Sequence, residues 1–196
     1  MEEPAHPVRT STAADDEVVA KTRRWIERAV VGLNLCPFAR VPFAQERIRF
    51  RVSHATSAAD LLVDLSDELL ALHASDAKAC ETTLLIHPDV LGDFLDFNDF
   101  LDEAEALLQA LDLEGEIQVA SFHPDYQFAD AHADAVENGT NRSPYPTLHL
   151  LRESSIDQAV ASGIDTDAIY ERNIETLRKL GADGWQALWR DDSGAK

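Results

Sequence analysis

Hydrophobic and polar residues follow the pattern of β-strands along four short stretches of the chain. In residues 47–53, apolar side chains alternate with arginines, which predicts a half-buried strand. Residues 82–86 contain no charged side chain, which predicts a strand away from the edge of a sheet. Residues 117–122 and 147–151 predict two more strands, and in the last of them His149 faces the side opposite to its leucine neighbours.

Between these strands, apolar residues recur every three or four positions and predict helices. The first helix begins at a capping box formed by Thr12 and Asp15 and ends near residues 32–34. A second helix, capped by Ser57, and a third over about residues 98–111 follow it. The second helix carries one apolar stripe, which consists of Leu61, Leu65, Leu69 and Leu72.

Two further helices and an apolar clasp are predicted after the fourth strand. Ser154 with Asp157 caps a helix that stops at Gly163, and the next helix starts at Ile164 and is closed by Gly181. The clasp consists of Trp185, Leu188 and Trp189.

The order of these elements predicts the fold class. Strands separated by helices pair in parallel through crossover connections, whereas a strand entered through a long loop can return antiparallel. We therefore predict an α/β fold: a mixed, mostly parallel sheet of about four strands packed with helices, with extra N- and C-terminal helices. We expect one domain over residues 12–190, with flexible tails at 1–11 and 191–196.

Residues 121–151 stand out because they hold more polar, titratable and aromatic side chains than a connection between two strands needs. Loops longer than about 12 to 15 residues inside a compact domain are usually functional or disordered. The tyrosines and the Ser-Pro-Tyr-Pro segment of this loop argue against disorder. We therefore expect the candidate site to lie there.

The amino-acid composition of the chain disfavours some classes of binding partner. The 196 residues carry a formal net charge of -19, and residues 52–141 contain twenty acidic side chains and a single lysine. The negative electrostatic potential of such a chain disfavours binding to nucleic acid and to anionic membrane surfaces.

The acidic N-terminus resembles no secretory signal, and no apolar run approaches the roughly 18 residues of a membrane span, so we expect a cytoplasmic protein. The two cysteines are then expected to be thiols.

Three of the predicted strands are each followed by a histidine: His54, His87 and His123. Ligands of open α/β sheets bind outside the carboxyl ends of the strands, where these side chains and His149 could share one rim. Imidazoles that converge in this way bind transition metals, so a metal held by His87, His123 and His149 is one hypothesis. The alternative is that these histidines are turn residues that hydrogen-bond the backbone.

Cys36 is the candidate nucleophile, with His123 as its general base and Asp125 or Asn141 as the residue that orients the base. Its expected reactivity depends on local structure. At the C-terminus of the first helix the helix dipole would raise the pKa of the thiol, whereas Pro37 is typical of a first helical position and would put Cys36 at an N-cap, where thiolate is favoured. A free cysteine in an apolar turn is also compatible with a buried structural residue.

The loop also contains candidate substrate-binding residues: Asn141, Arg142, Ser143, Tyr145 and, in the following strand, His149. We expect the ligand to be a small molecule. Arg142 favours an anionic one, because the guanidinium of an arginine can form two parallel hydrogen bonds with a carboxylate or phosphate. In the alternative reading the segment is a rigid turn in which Arg142 pairs with one of the many nearby acids.

Four motifs of the chain resemble one known family. Residues 32–39, 93–101, 118–128 and 140–153 are similar to the family catalogued as domain of unknown function 1415, and the likeness spans about residues 18–188. The resemblance implies a single-domain protein and no particular reaction. Its motifs include most of the candidate site residues: Cys36, His123, Asn141, Arg142, Tyr145 and His149.

The leading functional hypothesis is a small-molecule enzyme, a cysteine-dependent hydrolase or group transferase. Cys36 would be its nucleophile, His123 the general base, Arg142 the substrate anchor, and Asn141 or Tyr145 a polarising donor. A metal-binding protein or metalloenzyme that uses the strand-end histidines is one alternative, and a noncatalytic ligand-binding or interaction protein is another. The sequence leaves the substrate, the reaction, any cofactor and the oligomeric state open.

Overall fold

The computed structural model describes residues 12–161 and 166–189. The expected flexible tails lie outside these residues, as do Gly163 and the start of the last helix. The helices are α1 (Ala13–Trp25), a π-helical turn (Ile26–Val31), α2 (Arg40–Ala44), α3 (Ala58–Ala74), α4 (Phe94–Ala110), a 3-10 turn (Val136–Asn141), α5 (Glu153–Ala161) and α6 (Thr166–Leu188). The strands are β1 (Ile48–Val52), β2 (Thr82–Ile86), β3 (Ile117–Phe122) and β4 (Thr147–Arg152).

The four strands form one mixed sheet in the order β1-β2-β4-β3. β1 pairs with β2 in parallel, and β4 is antiparallel to both β2 and β3. The predicted α/β class with a mixed sheet is therefore confirmed, and β4 returns antiparallel beside β3, as a strand entered through a long loop can. Two of the three strand pairs are antiparallel, so the pairing is not mostly parallel as expected. Three strands point in one direction, and β4 lies between two of them because the loop after β3 is long enough to bring the chain back.

The sheet separates two apolar cores. On one face, the leucine stripe of α3 and the apolar side of α4 pack against Leu85, Leu148 and Leu150; we call this the α3/α4 face. On the other face, Leu84 and Ile86 pack against α1 and the π-helical turn; we call this the α1 face. Every residue of β2 is buried, as expected for an interior strand covered on both faces.

Side-chain caps decide where the helices begin. The predicted capping box is present, with the backbone N–H of Asp15 donating to Oγ1 of Thr12 at 3.2 Å. Helix α4 begins several residues before the predicted start, because the carboxylate of Asp93 accepts hydrogen bonds from the backbone N–H groups of Leu95 at 2.8 Å and Asp96 at 3.3 Å.

The C-terminal helices follow the prediction in part. Helix α5 starts directly after β4, and Gly181 interrupts α6 with a φ of +66°, a conformation that suits glycine. Beyond this kink, the three predicted clasp residues pack on the core of the α1 face: Trp185, Leu188 and Trp189. Within the described part of the chain, no helix combines the length and the apolar character needed to cross a membrane.

Candidate functional site

The long loop between β3 and β4 is an ordered structure that is built around Asn138. This side chain is completely buried; its Oδ1 accepts a hydrogen bond from the backbone N–H of Phe128 at 3.0 Å, and its Nδ2 donates to the carbonyl of His132 at 2.7 Å. Sequence analysis missed this role, because an asparagine before glycine gives only a turn signal. Asn138 therefore closes the loop on itself.

The predicted substrate-binding residues of the loop serve the same closure. Arg142 donates from Nε to the carbonyl of Tyr126 at 3.3 Å and from Nη2 to that of Ala133 at 2.5 Å. Asn141 donates to the carbonyl of Ser121 at 3.3 Å. The hydroxyl of Ser143 donates to the carbonyl of Tyr145 at 2.6 Å. The fork of Arg142 thus holds backbone carbonyls of its own loop and not an acid, which fits a rigid turn without the expected acid pairing. Its role as a substrate anchor stays a prediction.

The strand-end histidines act as turn residues. His87 donates from Nδ1 to the carbonyl of Val90 at 3.0 Å. His123 accepts at Nδ1 from the backbone N–H of Asp125 at 3.0 Å, which leaves Nε2 as the donor to the carbonyl of Leu91 at 3.2 Å. Asp125 therefore contacts His123 through its backbone and not as the expected carboxylate orienter.

Burial keeps these histidines neutral. It lowers the pKa of the fully buried His87 to about 4. Burial also lowers the pKa of His123, although the carbonyl of Leu91 and the carboxylate of Asp125 act in the opposite direction. Both rings pack on Phe97, with centroid distances of 5.6 and 5.2 Å.

The alternative metal site is not assembled. No three side chains of the His, Cys, Asp or Glu type come together as a metal-binding group among residues 12–161 and 166–189. His87 and His123 contact α4 on the α3/α4 face, whereas His149 lies on the α1 face. His54 instead pairs through Nε2 with Asp15 at 3.0 Å. The expectation of a shared histidine rim is therefore corrected, because alternate positions along a strand face opposite sides of the sheet.

Cys36 and His123 are also on opposite sides of the sheet. The ring of His123 is enclosed by Phe94 and Phe97 of α4, whereas Cys36 follows the π-helical turn on the α1 face. The structure does not bring these two side chains together, so His123 is not placed to act as the base for Cys36. The histidine that shares a cavity with Cys36 is His149.

A cavity of about 310 Å³ lies between the α1 face and the turn that carries Cys36. Its walls are mostly apolar and include Trp25, Ile26, Leu84 and Phe122. The polar side chains that line it are Cys36, Glu81, Thr82, His149, Arg152 and Ser155. Small-molecule sites in proteins have this character, a concave apolar space of roughly 300 to 1,000 Å³ with a few polar groups. We take this cavity as the candidate functional site.

The local fold after α1 presents Cys36 to the cavity. The π-helical turn, a rare conformation that is frequent at functional sites, puts Ile26 and Val30 in the wall. The carbonyl of Val30 then accepts from the backbone N–H groups of Leu35 at 2.9 Å and Cys36 at 3.3 Å. The carbonyl of Leu35 in turn accepts from the buried Nδ2 of Asn173 in α6 at 2.8 Å. The π-helical turn and α6 therefore fix the position of the turn that carries the thiol.

Burial dominates the electrostatics of Cys36. It raises the pKa of the thiol, and hydrogen bonds from the backbone N–H groups of Phe38 and Ala39 lower it by less. Cys36 is not an N-cap, however: helix α2 is capped by Ala39, and residues 37–39 form a turn in which the backbone N–H of Ala39 donates to the carbonyl of Cys36 at 3.2 Å. The N-cap position suggested by Pro37 is therefore not realised, and the thiol remains protonated because burial outweighs the two N–H donors.

His149 is held in one tautomer by Thr82. The hydroxyl of Thr82 donates its single proton to the carbonyl of Leu150 at 2.6 Å, so at 2.7 Å it accepts from Nε2–H of His149. Burial lowers the pKa of His149 to about 4, and the imidazole is therefore neutral at pH 7. Its Nδ1 then carries a free lone pair.

The charged groups in the wall already have partners. Glu81 pairs with Arg47 at 2.7 Å. Arg152 donates to the carbonyls of Leu72 at 2.6 Å, Ser75 at 2.7 Å and Cys80 at 3.3 Å, at the end of α3 and the approach to β2. The guanidinium of Arg152 keeps its positive charge, because carbonyls are not anions, but these contacts hold it at the C-terminal end of α3 on the other face of the sheet. Cys36 and His149 are neutral.

Comparison with known proteins supports the resemblance noted from the motifs. The family model described as Protein of unknown function (DUF1415) matches residues 17–187. The chain belongs to this family. Comparison with curated proteins and with solved structures gives no match. The DUF1415 match covers both walls of the cavity, from the π-helical turn to α5.

Sequence analysis of this DUF1415 chain missed Thr82 as a site residue. Its strand was interpreted as purely structural, although Thr82 is a polar residue at the first position of a buried strand. Pairing of Leu84 with His149 sets the imidazole beside β2 on the α1 face, next to Thr82. This register depends on a contact between residues far apart in the chain, and local pattern carries no signal for it.

Proposed function

We propose that this DUF1415 protein binds a small, mostly apolar molecule in the cavity on the α1 face. The observation that supports this function is the cavity itself, about 310 Å³ with apolar walls and a few polar groups that include His149. Burial of an apolar ligand against these walls would supply the affinity, at roughly 25 cal/mol per Å² of apolar surface removed from water. The polar groups would then select among ligands.

The remaining features of the chain fit this proposal. The chain has 36 acidic and 17 basic side chains, and this negative net charge disfavours binding of nucleic acid. Binding of an uncharged ligand does not depend on the net charge. Cys36 and Cys80 are both free thiols, which suits a reducing compartment such as the cytoplasm.

Filling the cavity tests the proposal. Ala120 lies beside His149 in the register of β3 with β4 and lines the cavity, so Ala120→Phe would occupy part of its volume. We expect small apolar molecules that raise the Tm of the wild-type protein to bind the variant at least about tenfold more weakly, because the added ring takes their place. Thermal-shift screening followed by isothermal titration calorimetry measures this effect.

The control is Ala110→Phe, the same change at an exposed position at the end of α4. It should leave the affinities of the same molecules unchanged. Ligands that bind the Ala120→Phe variant as tightly as the wild type would contradict the proposed site.

A second candidate function is thiol-dependent group transfer or hydrolysis, the enzyme class indicated by the sequence. It is favoured by one specific observation: Cys36, which receives two backbone N–H donors, shares the cavity with a neutral imidazole. In this version the sulfur of Cys36 would bond to an electrophilic carbon of the substrate as the bond from that carbon to the leaving group breaks. The thiol proton would pass by way of His149, and not His123, to the leaving group. The thiol would be activated only in the presence of substrate.

Alkylation as a function of pH examines the thiol directly. In a Cys80→Ser background, iodoacetamide should label Cys36 slowly at pH 7, and the rate should still be rising at about pH 9, because burial raises the pKa of the thiol. Mass spectrometry of the intact protein follows the reaction. A midpoint below about pH 7 would show instead that the N–H donors of Phe38 and Ala39 outweigh burial and that Cys36 is a resting thiolate.

A further inference from the structure

We propose that the ligand of the cavity is an uncharged molecule that donates one hydrogen bond, from an O–H or N–H group, to Nδ1 of His149. This inference rests on the proposed function and names the chemical class that the cavity would accept. Alcohols, phenols and N–H heterocycles with an apolar body belong to that class.

The direction of the hydrogen bond follows from the proton of Thr82. A hydroxyl has one proton, and that of Thr82 goes to the carbonyl of Leu150, which can only accept. Nε2 of His149 must therefore carry the proton shared with Thr82 Oγ1. A neutral imidazole has a single N–H, so Nδ1 is an acceptor.

This acceptor is open to the cavity. Nδ1 of His149 has no hydrogen-bond partner among residues 12–161 and 166–189. Some buried side-chain atoms of these residues lack a partner and are also sealed from solvent, such as Nε2 of His87, but Nδ1 of His149 is not among them. The imidazole lies in the cavity wall. A ligand that fills the space without a donor would strip water from Nδ1 and leave it unpaired, which should weaken its binding about tenfold or more.

The absence of a free charge in the wall sets the second requirement. Glu81 forms an ion pair with Arg47, and the guanidinium of Arg152 donates hydrogen bonds to backbone carbonyls. The guanidinium of Arg152 keeps its charge but is held against the end of α3, so a carboxylate ligand would lose its hydration in the cavity without a bidentate partner. An ammonium ligand would meet only Glu81, whose charge Arg47 already balances. The anionic ligand suggested by Arg142 in the sequence is thereby disfavoured, since Arg142 lies in the loop and not in the cavity wall.

Matched ligand pairs test both requirements. Indole and benzofuran have almost the same shape and differ in one N–H donor, and indole-3-carboxylate adds a charge to indole. We expect wild-type protein to bind indole at least tenfold more tightly than benzofuran, and at least tenfold more tightly than indole-3-carboxylate. Calorimetry gives the affinities, and 15N chemical shifts of the histidine ring report the tautomer of His149 and its contact with indole.

A variant separates the hydrogen bond from the shape of the cavity. His149→Phe keeps an aromatic ring in place, and Thr82 retains its bond to Leu150, so the preference for indole over benzofuran should disappear while benzofuran still binds. In the wild-type protein, the 15N spectrum should show Nε2 protonated and the Nδ1 signal shifted by indole and not by benzofuran.

Three results would overturn the inference while the proposed function stands: equal binding of indole and benzofuran in the cavity, tighter binding of the carboxylate, or a preference that survives His149→Phe. A different result would overturn the proposed function itself. That result is binding of these probes that Ala120→Phe does not weaken, or no binding of any apolar probe to the wild-type protein.

Discussion

Replacement of Phe97 by alanine is expected to lower the free energy of unfolding by about 3–5 kcal/mol. Phe97 is completely buried in the core of the α3/α4 face. Its ring also supports both turn histidines, with centroids 5.6 Å from His87 and 5.2 Å from His123. Its removal takes away apolar contacts and leaves a cavity beside two buried imidazoles. Urea denaturation followed by circular dichroism measures the loss.

Phe94→Ala is the matched control for this change. Phe94 belongs to the same helix and also contacts His123, at 5.5 Å, but it is only partly buried. Its replacement should cost less, because water can occupy part of the vacated space. A loss for Phe97→Ala no larger than that for Phe94→Ala would show that the core around the histidines relaxes to fill the gap.

Acid is expected to destabilise the fold through His87 before most carboxylates are protonated. Burial lowers the pKa of His87 from an ordinary value near 6.5 to about 4 in the folded protein. Between these values the unfolded chain binds a proton that the folded protein does not, so stability is complete above pH 6.5 and falls as the pH drops toward 4. The contribution of this one residue is about 3 kcal/mol over the whole interval.

The variant His87→Asn isolates this contribution, because the asparagine amide can still donate to the carbonyl of Val90 and does not titrate. Denaturation at a series of pH values should show a smaller loss of stability between pH 6.5 and 4 for the variant than for the wild type. His132→Asn, at an exposed loop position, should follow the wild-type curve. Parallel curves for His87→Asn and the wild type would mean that His87 gains a proton without opening the fold.

The candidate site of this DUF1415 protein lies on a face of the sheet and not in its most conspicuous loop. The side chains of the loop residues Asn138, Asn141 and Arg142 form hydrogen bonds with backbone groups at the end of β3 and in the first part of the same loop. Cys36 and His149, by contrast, both line the cavity on the α1 face. The Cys36 alkylation tests the protonation state of the thiol at this site, and the matched ligand pairs test the hydrogen-bond acceptor of His149.

The sequence by itself determined the elements of the fold and two residues of the candidate site, Cys36 and His149. Alternation in β1, the uncharged run of β2, the leucine stripe of α3 and the cap at Thr12 are local patterns whose physical causes act within a few residues. The motifs around Cys36 and His149 likewise marked both residues as candidates. These predictions succeeded because side-chain periodicity and capping depend on neighbours in the chain.

Only the tertiary structure decided which candidates meet. Insertion of β4 between β2 and β3 set His149 on the α1 face opposite Cys36, whereas the rings of His87 and His123 turned toward α4. The hydrogen bonds of Thr82 and Arg142 depend in the same way on strand register and on closure of the loop. Such pairings join residues far apart in the sequence, and a shift of one residue in register would move each side chain to the other face. Local pattern therefore identifies the groups that can react or bind, while the sheet determines which of them share a site.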